Sequence, residues 1–333
     1  MPKQIRIACI DGVGYNIIEL FREFFGDEFE FIKDEENPQF VFYSVFGTRH
    51  IHYDCVRIFW CGENARADFN FCDYAITFDD LDYEDRHLRF PLFLHDLKDV
   101  PKDSSMFHKS DFGSEYARRK FCSFVVSNGK ADEKRSEVFM ALNSYKRVDS
   151  AGKFKNNVGF YVDDKVSFLR QFKFNICFEN SYTNGYITEK IIDAKKADTI
   201  PIYWGGGRIK EQIFNKNAFI DFDNFKNIDD LISFIKYLDN DENAYLAMLN
   251  EPLILDKNIT DKHYRQLAGF LYRIFSDKMP FRRGFGQWRL NLEKRYIRFQ
   301  KTRETTNKII DLYRKAIFLD FFKKLKGAKI KSN

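Results

Sequence analysis

The chain has 333 residues, of which 44% are hydrophobic and 17% aromatic. This length and apolar content exclude an intrinsically disordered chain and are sufficient for two hydrophobic cores. The net charge of +5 is unevenly distributed, because residues 280–333 carry a net +12 and the preceding residues a net −7. The basic C-terminal segment therefore needs an explanation of its own.

The first part of the sequence alternates helix-like and strand-like patterns. Residues 17–25 have a helical pattern, and near-continuous apolar runs typical of buried parallel strands cover residues 5–10, 40–46, 56–61, 74–79 and 87–94. The stretch from 98 to 118 is polar and weakly periodic, which predicts a linker. We therefore predict a first α/β domain over residues 1–118, with the linker at its end.

A second alternating block begins with the strand-like run FCSFVVSN at residues 121–128. Further strand-like runs are FNICF, TIPIYW and NAFIDFD, and the helical patterns are SEVFMALNSY, VSFLRQF and DDLISFIKYL. This order favours a second doubly wound unit over residues 119–279. A basic helical tail is predicted to follow over residues 280–333.

The cysteines indicate a reducing compartment. They show neither CxxC pairs nor metal-ligand spacing, and several lie in strand-like runs, where a thiol packs as a small hydrophobe: Cys9, Cys55, Cys61, Cys72, Cys122 and Cys177. The N-terminus enters a strand without an apolar signal region, and no run reaches the ~18 apolar residues of a membrane-spanning helix. We expect neither a standard secretory signal nor a transmembrane anchor.

Three further motifs predict ordinary structure rather than a site. The two glycines of IDGVGYNI lack the third glycine of a dinucleotide fingerprint, so we interpret them as a tight strand–helix turn. Paired Asp80 and Asp82 in FDDLDYED fit a solvated acidic loop better than a divalent-cation site. The third motif is a candidate zinc site made of His50, His52 and Cys55. It lacks the second spaced pair of ligands that a zinc site needs.

The densest group of polar residues lies between two strand-like runs, in CFENSYTNGYITEKIIDAKKADTIPIYWG. The carboxyl end of a parallel strand is where open α/β sheets bind ligands. We predict that a helix begins near Gly185 or Tyr186, with Tyr186 and Lys190 one turn apart and its free N–H groups facing the cleft. From spacing alone, an anion site and ordinary capping by Thr188 and Glu189 both stay open.

The same segment closely resembles the donor-binding motif of the α1,3-fucosyltransferase family, in the order FENS, GYITEK, IPIYWG. The resemblance extends to CGENARADFNFCDYAITFDDLDYEDRHLRFPL (61–92), to FVVSN with RSEVFMALNSY, and to KNIDDLISFIKYL. It implies an α/β protein of GT-B architecture, in which two Rossmann-like domains face each other across a cleft. The first domain would bind the acceptor and the second GDP-fucose.

The resemblance also implies a reaction. L-fucose would pass with inversion from GDP-fucose to O3 of N-acetylglucosamine in N-acetyllactosamine, giving a Lewis x-type product in a lipopolysaccharide O-antigen. No metal or other cofactor is expected. An α1,4-fucosyltransferase, another nucleotide-sugar enzyme of this fold, and a non-catalytic membrane-associated nucleotide- or glycan-binding protein stay open as alternatives.

Individual roles follow from the resemblance. Inversion by direct displacement needs a base for the acceptor hydroxyl, which the resemblance places on Glu63, with an ordinary exposed loop acid as the alternative. Lys190 and Arg135 would meet the charge on the departing nucleoside diphosphate. Glu189 would contact either the ribose hydroxyls or the oxocarbenium-like sugar. The other expected donor contacts are Ser127, Asn128, Asn180, Tyr186 and Phe160; for Phe160 or its neighbour Tyr161, stacking on guanine and core packing stay open.

The tail predicts a helix that lies on an anionic membrane surface, with packing against the protein body as the alternative. Its apolar face would comprise Ile309, Ile310, Tyr313, Ile317 and Phe321, widened by Leu312, Ala316, Leu319 and Phe322. Charge alone is weak support for nucleic acid, which we do not expect as a partner. Bacterial members of the family implied by the resemblance have similar ends, so we expect a cytoplasmic protein, peripheral on the inner face of the inner membrane. The lack of heptads before the tail argues against coiled-coil dimerisation.

Overall fold

The structure, a computed structural model, describes residues 2–284 and 286–329, with side chains in the C-terminal helix as far as residue 314. Within these residues the backbone forms two parallel β-sheets, each with helices around it. The predicted α/β class and GT-B arrangement of two doubly wound units are confirmed.

The first sheet has six parallel strands in the order β2-β1-β3-β4-β5-β6. Most of the side chains in its central strands are buried, as the apolar runs in the sequence predict. The strands are β1 (Lys3–Ile10), β2 (Phe29–Lys33), β3 (Phe40–Tyr43), β4 (Val56–Cys61), β5 (Tyr74–Thr77) and β6 (His87–Arg89), and the helices are α1 (Ile17–Phe25) and α2 (Phe93–Lys98).

The second sheet has five parallel strands in the order β11-β10-β9-β7-β8. In both sheets the first strand lies between the second and the third, so the winding reverses beside β1 and beside β7. The strands are β7 (Lys120–Phe124), β8 (Val148–Ser150), β9 (Phe172–Ile176), β10 (Ile200–Tyr203) and β11 (Ile220–Asp221). The helices are α3 (Lys134–Tyr145), α4 (Lys165–Leu169), α5 (Glu189–Lys196), α6 (Lys210–Ile213), α7 (Ile228–Asn240) and α8 (Glu242–Leu249).

Helix α9 (Ile259–Ser276) returns to the first sheet. The ring of Phe275 lies 5.1 Å from that of Phe40 and 5.6 Å from that of Phe21, and the Lys3 ammonium donates to the Phe275 carbonyl. The predicted second domain, residues 119–279, therefore includes a helix that packs elsewhere, because α9 covers the first sheet. An amphipathic pattern states that a helix has a buried face but not which sheet buries it.

One predicted strand is also divided. The apolar run 87–94 contains the strand β6, which ends at Arg89, and the start of α2, which begins at Phe93. Pro91 lies between the two elements and has no N–H to continue a ladder. Apolar content predicted burial correctly here but did not mark the change of element.

The C-terminal helix α10 (Gln287–Lys329) is fastened to the first sheet near its start. Buried Asp73 accepts a 2.6 Å hydrogen bond from the Arg283 guanidinium, and Arg57 forms a 2.6 Å ion pair with Glu293. Residues 301–314 are exposed. The part of the predicted membrane face from Ala316 onward lies outside the residues whose side chains are described. Among the described helices, none is long and apolar enough to span a bilayer.

Candidate active site

The polar cluster that follows β9 is organised around one buried carboxylate, that of Glu179. It accepts hydrogen bonds from the Thr188 backbone N–H (2.8 Å), the Thr188 hydroxyl (2.8 Å) and the Tyr203 hydroxyl (3.2 Å). The Lys190 ammonium donates to it at 3.1 Å and also to the Thr188 hydroxyl at 2.8 Å. Glu179 thus sets the positions of both the start of α5 and the Lys190 side chain.

The Glu179 carboxylate and the Lys190 ammonium form an ion pair at 3.1 Å, and each affects the pKa of the other. Burial raises the pKa of Glu179, whereas Lys190 and Thr188 oppose this. For Lys190, burial lowers the pKa, but the attraction of Glu179 and Glu189 outweighs it, and the net direction is upward. The four groups around Glu179 all donate hydrogen bonds, which fits a carboxylate, and we therefore treat the pair as ionised.

Helix α5 begins later than the sequence predicts. Its first residue is Glu189, and Thr188 is the N-cap residue with an extended backbone. Tyr186 therefore lies in the preceding loop rather than one helical turn from Lys190, and its buried ring meets Phe78 of the first half edge-on at 5.2 Å. Gly185 takes a φ of +82°, and a Cβ there would lie 3.1 Å from the Phe78 carbonyl oxygen.

Glu189 occupies the first turn of α5, where the helix dipole stabilises a negative charge. Its carboxylate lies 3.5 Å from the Lys190 ammonium and is one third exposed. Burial raises the pKa of Glu189, but the attraction of Lys190 and Lys165 lowers it by more than burial raises it. The net pKa therefore lies below its ordinary value. The side chain is thus an ionised acceptor, open to a ligand that carries hydroxyl groups or positive charge.

Arg135 is the second residue of α3 and is almost completely buried. Its Nη2 donates to the Phe178 carbonyl (2.8 Å) and to the Asn180 side-chain oxygen (2.9 Å), and its Nη1 donates weakly to the Asn128 carbonyl (3.4 Å). The Nε–H has no hydrogen-bond partner among the described residues. Burial lowers the pKa of Arg135, and Glu179 opposes that effect. Arg135 joins the loop after β7 to the loop after β9.

The two loops joined by Arg135 flank the point where the winding of the second sheet reverses, between β7 and β9. Ser127 and Asn128 are exposed in the first loop, and Asn180 begins the second after Glu179. Doubly wound sheets bind ligands at this position, beyond the carboxyl ends of the strands. The donor residues predicted on separate segments are therefore brought to one place, apart from Phe160.

Phe160 and Tyr161 lie outside this hydrogen-bonded cluster. Their side chains are 54% and 66% exposed, so the interpretation of either as a core residue is wrong. The Phe160 carbonyl accepts from the Asn156 side chain, which folds the surrounding loop. Both rings remain open to a stacking partner.

The loop after β4 approaches the loop between β9 and α5 (residues 177–188), which contains predicted donor contacts and is called the donor loop below. Glu63 is exposed, and its backbone carbonyl accepts from the Ala65 N–H at 2.7 Å. The next residue, Asn64, donates through its side-chain amide to Ser181 (2.5 Å) and Thr183 (2.9 Å). The negative charge of Glu63 contributes to the raised pKa of Tyr186, after burial and Glu179. Glu63 thus lies at the junction of the two halves, in the loop that hydrogen-bonds Ser181 and Thr183.

Within residues 2–284 and 286–329, no group of three or more histidines, cysteines and acids is gathered in a metal-binding arrangement. His50 is a core histidine that hydrogen-bonds Asp11 at 2.9 Å and stacks on Tyr43 at 3.9 Å. The DGVG segment forms the turn between β1 and α1, where Gly12 has a φ of +97°.

Comparisons with known proteins connect this geometry to a family. The N-terminal domain model of the α-(1,3)-fucosyltransferase FucT matches residues 8–95, and the C-terminal model of glycosyltransferase family 10 (fucosyltransferase) matches residues 116–250. A crystal structure of α1,3-fucosyltransferase with GDP is 31% identical, has a TM-score of 0.68, and covers 85% of this chain and 93% of its own. The chain belongs to the fucosyltransferase family.

Other fucosyltransferases are also similar. One solved with GDP-fucose is 32% identical with a TM-score of 0.64, covering 81% of this chain and 91% of its own. The α-(1,3)-fucosyltransferase FucT of Helicobacter pylori is 37% identical over 290 residues, 75% of this chain. A putative fucosyltransferase of Acanthamoeba polyphaga mimivirus is 31% identical over 174 residues, 48% of this chain. The chain spans 60% of the first of these curated relatives and 28% of the second.

Three residues of this fucosyltransferase site were not predicted from the sequence as functional. Glu179 and Tyr203 order the cluster from within, and Asn64 crosses between the halves. A signal for Glu179 was present, because an acid directly after a continuous apolar strand needs buried partners. Asn64 had no comparable signal, since its contacts lie 117 and 119 residues away.

Proposed function

We propose that this protein is an inverting α1,3-fucosyltransferase, which transfers L-fucose from GDP-fucose to O3 of N-acetylglucosamine in N-acetyllactosamine-type glycans of a lipopolysaccharide. The observation that carries the proposal is the hydrogen bond from the Glu63 loop to Ser181, in the same loop as the Glu179 and Asn180 partners of Lys190 and Arg135. One half offers a carboxylate, and the other offers cations and free helix N–H groups. Inverting transfer from a nucleoside diphosphate sugar needs both.

The proposed mechanism divides the work between the two halves. Glu63 takes the proton from the acceptor hydroxyl as its oxygen attacks the anomeric carbon. The bond from that carbon to the diphosphate breaks, and Lys190 and the N–H groups at the start of α5 receive the charge of the leaving group. Arg135 shapes the β7 and β9 loops around the diphosphate and offers its Nε–H to it. Glu189 accepts hydrogen bonds from donor hydroxyl groups.

The role of Glu63 is tested by Glu63→Gln, which keeps the shape of the side chain and removes the base. We expect the rate of fucose transfer to fall by about 10²–10⁴, the usual contribution of general base catalysis. GDP affinity, measured by calorimetry, should stay within about threefold, since Glu63 does not face the diphosphate in this mechanism. Glu36→Gln, at an exposed loop acid of the same half, is the matched control. Near-normal turnover of Glu63→Gln would show that Glu63 is not the general base.

The cationic residues are tested by affinity rather than rate. Lys190→Ala and Arg135→Ala should weaken GDP binding about tenfold or more, as expected for loss of a charge-assisted hydrogen bond. Lys134→Ala removes a neighbouring, partly exposed cation that pairs with Asp132 and should change affinity little. Because both test residues have buried partners, circular dichroism must first show that the variants are folded. Unchanged GDP affinity in folded variants would contradict the phosphate role.

The linkage is tested on the product. Relatives include a bovine enzyme named as a 4-α-L-fucosyltransferase, 34% identical over 132 residues. Incubation with GDP-fucose and either type of disaccharide, N-acetyllactosamine or its β1,3-linked isomer, followed by linkage analysis, separates α1,3 from α1,4 transfer. Fucose on O4 alone would overturn the proposed linkage while leaving the donor assignment in place.

We further propose that the basic tail holds the protein peripherally on the anionic cytoplasmic face of the inner membrane. Support comes from the net charge of +12 over residues 280–333 and from the apolar side chains exposed along α10, with Leu312 66% and Tyr313 69% exposed. An amphipathic helix of this kind binds anionic lipid by charge and by partial burial of its apolar residues.

A further inference from the structure

The contact between Asn64 and the donor loop joins the two halves at the reaction site itself. The Asn64 amide uses both of its N–H bonds, one to the Ser181 hydroxyl at 2.5 Å and one to the Thr183 hydroxyl at 2.9 Å. All three side chains are partly buried, which protects the bonds from competition with water. A single side chain therefore holds two points of the facing loop.

The two ends of this contact adjoin the residues that carry the proposed chemistry. On one side, Asn64 follows Glu63, and the two residues share one short backbone turn that is closed by the Ala65 N–H. On the other side, Ser181 follows Asn180, whose side chain accepts from Arg135. Glu63 and the leaving-group pocket are thus connected through one hydrogen-bonded path.

We propose that Asn64 is a positioning residue for fucose transfer: it holds the Glu63 loop at a fixed distance from the donor loop. This inference rests on the proposed function. Glu63 is exposed, and nothing among the described contacts of its carboxylate fixes its position. Other contacts of its loop stay within the first half, among them the 3.0 Å ion pair from Arg66 to Asp79 and the 3.3 Å hydrogen bond from the Glu63 N–H to the Cys61 sulfur. Only a contact across the junction sets the base against the donor.

A positioning role and a merely structural one differ in their kinetic effect. Displacement of a base by about 1 Å costs on the order of 10²-fold in rate, because the reacting atoms no longer align. Binding of GDP depends on Lys190 and the α5 N-terminus, which Asn64 does not contact. Loss of the Asn64 bonds should therefore lower kcat and leave GDP affinity in place.

The test compares Asn64→Ala, the double variant Ser181→Ala/Thr183→Val, and the triple variant. Asn64→Ala should lower kcat about 10–100-fold, with GDP affinity within about threefold. The kcat of the triple variant should lie within about threefold of the lower of the two values measured for Asn64→Ala and the double variant, since all three changes break the same bonds. A kcat loss below about threefold in Asn64→Ala, or losses that multiply in the triple variant, would overturn the proposal.

Asn70→Ala is the matched control. Asn70 lies in the same loop, and its amide bonds Asp68 at 2.9 Å without crossing to the other half. We expect its kcat to stay within about twofold of the wild-type value. A loss equal to that of Asn64→Ala would show that any loosening of the loop suffices, and would overturn the specific role of Asn64.

Amide hydrogen exchange provides a readout that does not depend on turnover. In Asn64→Ala, residues 179–186 should exchange at least fivefold faster than in the wild type, whereas Asn70→Ala should leave them unchanged. If the wild-type protein transfers no fucose from GDP-fucose, the proposed function fails, but this exchange difference still reports whether Asn64 couples the loops. Unchanged exchange at residues 179–186 in Asn64→Ala would overturn the coupling.

Discussion

Glu179 shows how one buried residue determines where the others can act. An ionised carboxylate without contact with water is costly unless its oxygens are fully hydrogen-bonded. Here Thr188, Tyr203 and Lys190 provide the donors, and each is thereby held in one position. The Lys190 side chain, which is 14% exposed, is held toward the cleft by this arrangement.

Glu179→Gln tests the cost of disturbing that arrangement. The amide keeps one acceptor oxygen but turns an NH₂ group toward two or more donors, and it leaves the Lys190 charge without its buried partner. We expect the free energy of unfolding to fall by about 2–4 kcal/mol, measured by urea denaturation. Glu189→Gln, which removes a partly exposed carboxylate 3.5 Å from the same ammonium, should cost less than about 1 kcal/mol. Equal losses would mean that Glu179 is no more important to stability than its exposed neighbour.

At the scale of elements, the two halves meet where α2 packs against α5. Asp96 on α2 faces Asp193 and Glu189 on α5, together with Lys196 on α5 and Lys165 on α4. Burial, then repulsion from Asp193, raises the pKa of Asp96 to about 6, and Lys196 only partly offsets this. The contact between the helices therefore contains an acid that binds its proton more tightly in the folded protein than in the unfolded chain.

The stability contributed by Asp96 should depend on pH in a defined direction. A folded-state pKa above the unfolded value means that the folded protein holds the proton more tightly, so stability falls as the pH rises from about 4 through 6. Asp96→Asn should thus be more stable than the wild type at pH 7.5, by about 1 kcal/mol after allowance for solvent screening, and equally stable near pH 4. Asp99→Asn, at an exposed acid after α2, should show no such dependence on pH. A constant difference between Asp96→Asn and the wild type across this range would contradict the assigned cause.

Elements with one clear pattern were predictable, and elements defined by distant contacts were not. The bounds of α1 and β4 agree with the sequence prediction, because the helical period and the apolar run end at the same residues. The start of α5 was predicted too early, since Tyr186 and Ile187 are apolar at helical spacing but are buried as loop residues. Asn64 was missed as a site residue for a related reason, because its partners depend on how two sheets face each other. Local pattern thus predicts the parts of the site, while their assembly depends on tertiary packing.

At the scale of the whole molecule, the C-terminal part of the chain covers and then leaves the first half. Helix α9 packs on the first sheet, and the buried Asp73–Arg283 and Arg57–Glu293 pairs fasten the start of α10 to the same half. Helix α10 has 43 residues, a length of about 65 Å at 1.5 Å per residue. The proposed membrane-binding segment therefore continues from a helix start that is fastened to the first half.

Vesicle binding tests the tail on the full chain. We expect the protein to sediment with vesicles that contain 30% phosphatidylserine and to remain in solution with phosphatidylcholine alone, because residues 280–333 carry a net +12. In 0.5 M NaCl the binding should weaken, since salt screens charges at the surface. Equal binding to both kinds of vesicle would contradict a charge-driven attachment.

Removing charge at defined positions tests whether the tail, rather than the rest of the surface, binds the vesicles. Replacing the exposed Lys294, Lys301 and Lys308 with Gln should lower the apparent affinity for the anionic vesicles about 10–100-fold, because each basic residue near such a surface contributes about 1 kcal/mol. The matched control replaces three exposed lysines of the second half, Lys216, Lys226 and Lys236, and removes the same net charge. If both triple variants lose affinity equally, attraction depends on the charge of the whole molecule and the tail is not the attachment site. A selective loss in the tail variant, with GDP affinity unchanged in both, would place the attachment on α10.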